Sequence, residues 1–146
     1  MQTKDVNEYL IDTDILVEHL TNRKYNELSI LESLMIDGIC FTTVLNASEI
    51  FYRSENETNA LNIKSLLSAL KILGLHSRYS LNISDFFNKV ANVRDALMCV
   101  TAKINRLPIV TLNEKRYKNS SVKIINPLKM RGKSDTRKSY RDSLVN

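Results

Sequence analysis

The chain has 146 residues, 43% hydrophobic and 25% charged, which suits one domain with its own core and argues against wholesale disorder. Two isolated cysteines and two distant histidines fit no zinc spacing, disulfide framework or histidine-based triad. No apolar run approaches the ~20 residues of a membrane span, and the polar opening Met1–Glu8 has no leader pattern, so a cytoplasmic protein is predicted. The net charge of +5 is uneven: residues 1–101 carry 9 basic and 13 acidic side chains, residues 102–146 carry 12 and 3. Such a split suits a body that holds a cation beside a surface that meets a polyanion.

In chain order, Tyr9–Thr13 reads as a short buried strand and Ile15–Leu20 as the start of a helix. Tyr25–Asp37 has a helical rhythm and Gly38 at its stop. "ICFTTV", 39–44, reads as a second strand, and "NASEIFYRSE", 46–55, as a helix capped by Asn46. Residues 58–74 predict an amphipathic helix ending in Gly74, followed by a connector, 75–82, and one kinked helix or two over 83–106. "LPIVTLN", 107–113, and "VKIIN", 122–126, are further strands. Helices between strands predict a three-layer α/β/α fold with a central parallel sheet of four to five strands. Residues 1–127 form the expected domain, and 128–146, rich in Lys and Arg, a basic tail.

Functional groups in such a sheet gather at the carboxyl ends of the strands. Asp12 ends the first strand, Glu49 lies early in the helix after the second, Asp95 opens the helix before the third, and Asn113 lies just beyond that strand. Crowded carboxylates need a counter-charge. Mg²⁺ or Mn²⁺, hard ions with oxygen ligands and retained waters, would supply it. Each acid also has a plainer reading. Asp14 suits a helix cap, Asn46-x-x-Glu49 has capping-box spacing, and Asp95 suits the positive end of a helix dipole. With no counter-ion present, Asp12→Asn should relieve repulsion and raise stability.

"LIDTDILV", "TTVLNASEI", "RDALMCVTA" and "IVTLNEKRY" resemble, in order, the four blocks of PIN-domain ribonucleases, particularly VapC-type toxins of toxin–antitoxin pairs, over residues 8–127. The resemblance implies a Rossmann-like fold, metal-dependent RNA cleavage, a homodimer and an antitoxin partner. It makes Asp12, Glu49 and Asp95 the acidic positions and metal ligands, and Asn113 the fourth catalytic position, two after Thr111. Thr43 matches the hydroxyl residue six before the glutamate, and Asp14 a position often filled by Asn; with Thr111 these are supporting residues. Lys103, Arg106, Lys115, Arg116 and Lys118 are the expected contacts to the RNA backbone.

Two alternatives follow from departures. The amide at 113 leaves room for a catalytically inactive PIN-like domain that binds RNA or a partner. "DTDILV" also resembles the opening of haloacid-dehalogenase-type phosphatases, although Ile15 stands where that family usually has Gly.

Overall fold

A computed structural model describes residues 6–21 and 26–129. The order is β1 (Asn7–Ile11), α1 (Thr13–Thr21), α2 (Ile30–Asp37), β2 (Gly38–Thr43), α3 (Val44–Tyr52), α4 (Glu57–Ser68), β3 (Lys71–Leu73), a 3-10 stretch Ser77–Phe86, α5 (Val93–Asn105), β4 (Ile109–Val110), a 3-10 turn Glu114–Tyr117 and β5 (Ile124–Ile125). The five strands form one parallel sheet in the order β3-β2-β1-β4-β5. The chain reverses its direction of winding between β1 and β4, where a crevice opens at the carboxyl ends of the strands.

Alternation along β1 divides the core. Tyr9 and Ile11 face one layer with Ile15, Leu16, Leu31, Ile50 and Leu67, which come from α1 to α4. Leu10 faces the other with Met98, Cys99 and Val100 of α5, together with Phe86 and Tyr117. A strand buried on both faces reads as a continuous apolar run, which is why Tyr9-Leu10-Ile11 shows no polar partner in sequence.

Several boundaries differ from the sequence reading. α2 begins at Ile30, later than Tyr25, because Ser29 and Glu32 form a reciprocal capping box. α3 begins at Val44 and its cap is Thr43, with Asn46 as the returning side chain, so Asn46 and Glu49 are not a capping pair. The helix expected over 58–74 stops at Ser68, and Lys71–Leu73 is the edge strand β3, pairing with Phe41–Thr43. The stretch expected as helix over 83–106 is 3-10 up to Phe86, and α5 starts afresh at Val93 behind the cap Asn92, whose Oδ1 accepts from the Asp95 amide at 2.8 Å.

Gly38 is needed for close approach. Its φ of −172° is ordinary extended backbone, but a Cβ there would lie 2.3 Å from the Asn7 carbonyl oxygen. It sits opposite Asn7 in the β1–β2 pairing, so the small residue lets the two strands meet where that pairing begins. Residues 130–146, most of the predicted tail, lie outside the described residues.

Candidate active site

The sheet places the acids. Asp12 follows the last residue of β1, and its backbone N–H donates to the Val110 carbonyl of β4 at 3.0 Å, so its position is fixed by the sheet ladder. Asp95 sits in the first turn of α5 and Glu49 within α3. Asp12 is 0% exposed and Asp95 1%, so neither can leave its charge to water.

Arg94 joins all three. Its Nη2 lies 2.5 Å from Asp12 Oδ1, its Nε 3.0 Å from Glu49 Oε1 and its Nη1 3.1 Å from Asp95 Oδ1. Nη1 also donates to the Tyr117 hydroxyl at 2.6 Å, and Nη2 to Thr13 Oγ1 at 3.1 Å. A guanidinium has five N–H donors, and these five acceptors use them all. Tyr117, fully buried, in turn donates to Asp12 Oδ2 at 2.6 Å. Arg116 adds a looser contact, Nε at 3.7 Å from Asp95 Oδ1.

Burial alone would raise the pKa of Asp12, but hydrogen bonds and charge from Arg94, with further hydrogen bonds from Tyr117 and the Thr13 amide, hold it below the ordinary carboxylate value. Asp95 goes the other way: burial raises it, and Arg116 and Arg94 only partly offset this. Asp14 is raised too, first by burial and then by the charge of Asp12. Tyr117 is held protonated, chiefly by burial and then by Asp12. Its partners thus favour the charged form of Asp12, whereas burial disfavours that of Asp95 and of Asp14.

The supporting residues separate into two groups. Asp14 Oδ2 accepts from Thr111 Oγ1 and the Leu112 N–H, each at 2.8 Å, which ties α1 to the end of β4. Its Oδ1 is buried with no hydrogen-bond partner among the described residues. Thr43 donates to Asn46 Oδ1 at 2.6 Å, and Asn46 Nδ2 reaches Asp12 Oδ1 at 3.3 Å and Thr13 Oγ1 at 3.0 Å. Among the described residues, Thr43 thus reaches the acids through Asn46. Thr13 is the hydroxyl in contact with the cluster, donating to Glu49 Oε1 at 3.2 Å.

Asn113 stands apart. It is exposed, and its backbone carries its hydrogen bonds among the described residues: the N–H donates to Thr111 Oγ1 at 3.2 Å, and the carbonyl accepts from the Arg116 N–H at 3.2 Å. It lines an open groove of about 580 Å³ with Asp95, Lys89, Asn92, Lys115 and Arg116. Lys118 is exposed on the same segment. Lys103 and Arg106 lie near the far end of α5, about 12 and 16 Å along the helix from Asp95 at 1.5 Å per residue. They line a second hollow with Lys89 and Lys123 near the start of β4. The five predicted backbone contacts thus fall on two surfaces.

Sequence reasoning missed Arg94, Tyr117, Thr13 and Asn46. Arg94 and Thr13 each adjoin a predicted acid, and that adjacency was the available signal. Tyr117 had none, lying in the polar run "NEKRYKNS".

The donor set fits a hard divalent cation in kind: carboxylate oxygens, two of their residues buried, at the mouth of a polar groove. Among the described residues, no three Asp, Glu, His or Cys side chains form a ready metal cradle, and the Arg94 guanidinium contacts each of the three carboxylates.

The fold is similar to that of VapBC2 from Rickettsia felis, solved with a DNA fragment from their promoter, at a TM-score of 0.69 and 19% identity over 82% of this chain and 98% of that one. A toxin–antitoxin complex from Klebsiella pneumoniae gives 0.68 at 17%, over 82% and 97%. FitAcB from Neisseria gonorrhoeae gives 0.65 at 19%, over 82% and 98%. Comparison with curated proteins finds no match. The PIN-domain family model matches residues 9–120, most of the chain, and with its acids gathered at the β1–β4 crevice this protein belongs to the PIN-domain family.

Proposed function

We propose that the chain is a metal-dependent ribonuclease, the toxin of a toxin–antitoxin pair, with Asp12, Glu49 and Asp95 as its catalytic acids. The observation that carries this reading is their convergence: one oxygen from each lies within 3.1 Å of a single cationic group at the sheet's switch point. Family membership sets aside the phosphatase alternative.

Asp12 and Asp95 would hold Mg²⁺ or Mn²⁺, with Glu49 completing the set. When bound, such an ion supplies a water acidic enough to attack at neutral pH and neutralises charge on the phosphate oxygens. The chain's own residues prepare the site. Tyr117 and the Thr13 amide fix the Asp12 carboxylate at both oxygens. Asp14 anchors Thr111 and so holds the end of β4 against α1. Lys115 and Arg116 line the groove beside Asp95 and would grip RNA phosphates, with Asn113 offering an amide to the same strand. Lys118, and the more distant Lys103 and Arg106, extend the basic surface.

Residues 1–127 make up the nuclease domain in this reading, and 128–146 add basic charge outside it. Among the described residues no helix is long and apolar enough to cross a membrane. A cytoplasmic homodimer restrained by a cognate antitoxin completes the proposal; the solved neighbours include toxin–antitoxin assemblies.

The test is cleavage of structured RNA by the purified chain with Mn²⁺, with chelator, and with Asp12→Asn or Asp95→Asn. Cleavage should need the metal and fall at least ~100-fold in either variant, about 2.7 kcal/mol of barrier, while RNA binding persists. Cleavage that survives both chelator and substitution would refute the assignment, and an intact wild type that cuts nothing would leave a binding protein.

A further inference from the structure

The cation at the centre of the acids belongs to the chain itself. Arg94 meets one oxygen of each carboxylate assigned to a metal, fills its remaining donors on Tyr117 and Thr13, and is only 18% exposed. The guanidinium and a divalent ion both need those oxygens and the space between them. A group so fully satisfied does not yield without a cost, because leaving strands buried carboxylates and breaks charge-assisted hydrogen bonds.

We infer that Arg94 is a built-in competitor of the divalent ion: it neutralises the metal-free site and must swing out before metal binds to Asp12, Glu49 and Asp95. The inference rests on the metal-dependent reading of the same site. Arg94 is the second residue of α5, directly after the Asn88–Asn92 segment that walls the open groove. That groove adjoins Asp95 and offers room for a displaced guanidinium. RNA would favour the outward position, because a phosphodiester in the groove gives the guanidinium a new anionic partner. Binding of RNA and of metal should then strengthen one another, and by linkage each does so by the same factor. The resting site is consequently closed by a residue of the chain, and opened when substrate and metal arrive together.

The experiment compares Mn²⁺ affinity, by calorimetry, in the wild type and in Arg94→Gln, each alone and with a non-cleavable RNA analogue. Arg94→Gln should bind Mn²⁺ at least tenfold more tightly than the wild type, and the analogue should tighten Mn²⁺ binding in the wild type far more than in the variant. Equal or weaker binding by Arg94→Gln overturns the competition. Should that variant not fold, the wild type still decides: the Arg94 Nε–H proton, bonded to Glu49 Oε1, should exchange slowly in metal-free protein, and must exchange faster and shift on titration with Mg²⁺. A resonance unmoved at saturating Mg²⁺ overturns the inference. Metal binding that is equal in both proteins, with RNA still cut, removes only the competition. No divalent binding in either protein, with RNA left intact, removes the metal-dependent reading as well.

Discussion

Asp12→Asn, tested on metal-free protein at pH 7, separates two pictures of the acidic cluster. Carboxylates that merely crowd one another would gain from losing a charge, and the variant would melt higher. The structure reverses that sign. Among the described residues, every hydrogen-bond partner of the Asp12 carboxylate is a donor: Arg94 Nη2, the Thr13 N–H and Asn46 Nδ2 on Oδ1, and the Tyr117 hydroxyl on Oδ2. An amide nitrogen at either position must face one of them. Turned toward Oδ2 it meets the Tyr117 oxygen, which can accept, but the buried Tyr117 proton then loses its acceptor. Turned toward Oδ1 it meets three donors at once. In both orientations Arg94 loses the nearest of its three anions. Breaking one partner of a buried ion pair costs about 3–5 kcal/mol, and the retained amide oxygen recovers part of this, leaving roughly 2–4 kcal/mol. At about 2–4 °C per kcal/mol for a domain of this size, a fall of roughly 5–12 °C follows. Thermal unfolding in the presence of chelator reads it directly. Arg94→Gln in the same background should cost less than it does in the wild type, since the two changes share one interaction. A variant that melts at or above the wild type would refute the picture of Asp12 as a carboxylate held by its partners.

Asp14→Asn should behave oppositely to Asp12→Asn. Its Oδ2 contacts can be kept by the amide oxygen, while the charge that burial and Asp12 disfavour is removed, so stability should rise by on the order of 1 kcal/mol in urea titration. A loss larger than that would show that the charge itself is needed. The pH dependence follows from the same groups. Asp14 and Asp95 have raised folded pKa values, so their destabilising charge is lost, and stability gained, as pH falls from neutrality through those values. Asp12 is lowered, so its contribution is present above the unfolded value of about 3.9 and lost as pH falls through the folded one. Urea midpoints should therefore peak on the acid side of neutrality and drop below about pH 4, whereas a steady decline from pH 7 would contradict this. Gly38→Ala should destabilise by roughly 2 kcal/mol, because a Cβ 2.3 Å from the Asn7 carbonyl oxygen forces the β1–β2 pairing apart; unchanged stability would mean the strands have slack there.

Much of this was legible in the sequence. β1 announces itself as an apolar run stopped by Asp12, and β4 as "PIVT" stopped near Thr111, so the two strand ends that flank the crevice could be placed from the sequence alone. The α4–β3 boundary could not. Leu66, Leu67 and Leu70 keep a helical rhythm that Ile72 and Leu73 continue, and a three-residue edge strand, largely exposed, shows no alternation of its own. The site was half legible for a related reason. Asp12, at a strand end, is fixed by topology, whereas the directions of Arg94 and Asp95 depend on where α5 restarts, and that is set by the Asn92 cap behind a stretch of irregular chain. The sign of the Asp12→Asn effect turned on that one side chain.

The cluster also sets an order of events during synthesis. Asp12 and Arg94 are separated by 82 positions, and Asp12 and Tyr117 by 105. A parallel sheet pays loop-closure entropy before such distant contacts form, and a chain made from its N-terminus presents Asp12 long before either partner exists. Until α5 and the turn carrying Tyr117 emerge, burying Asp12 would strand a charge in the interior, so β1 has reason to stay open or loosely docked. The final closure of the β1–β4 seam and the assembly of the acidic cluster are then one step. A nascent chain of this protein would carry no complete acidic cluster until nearly all of its sheet had been made.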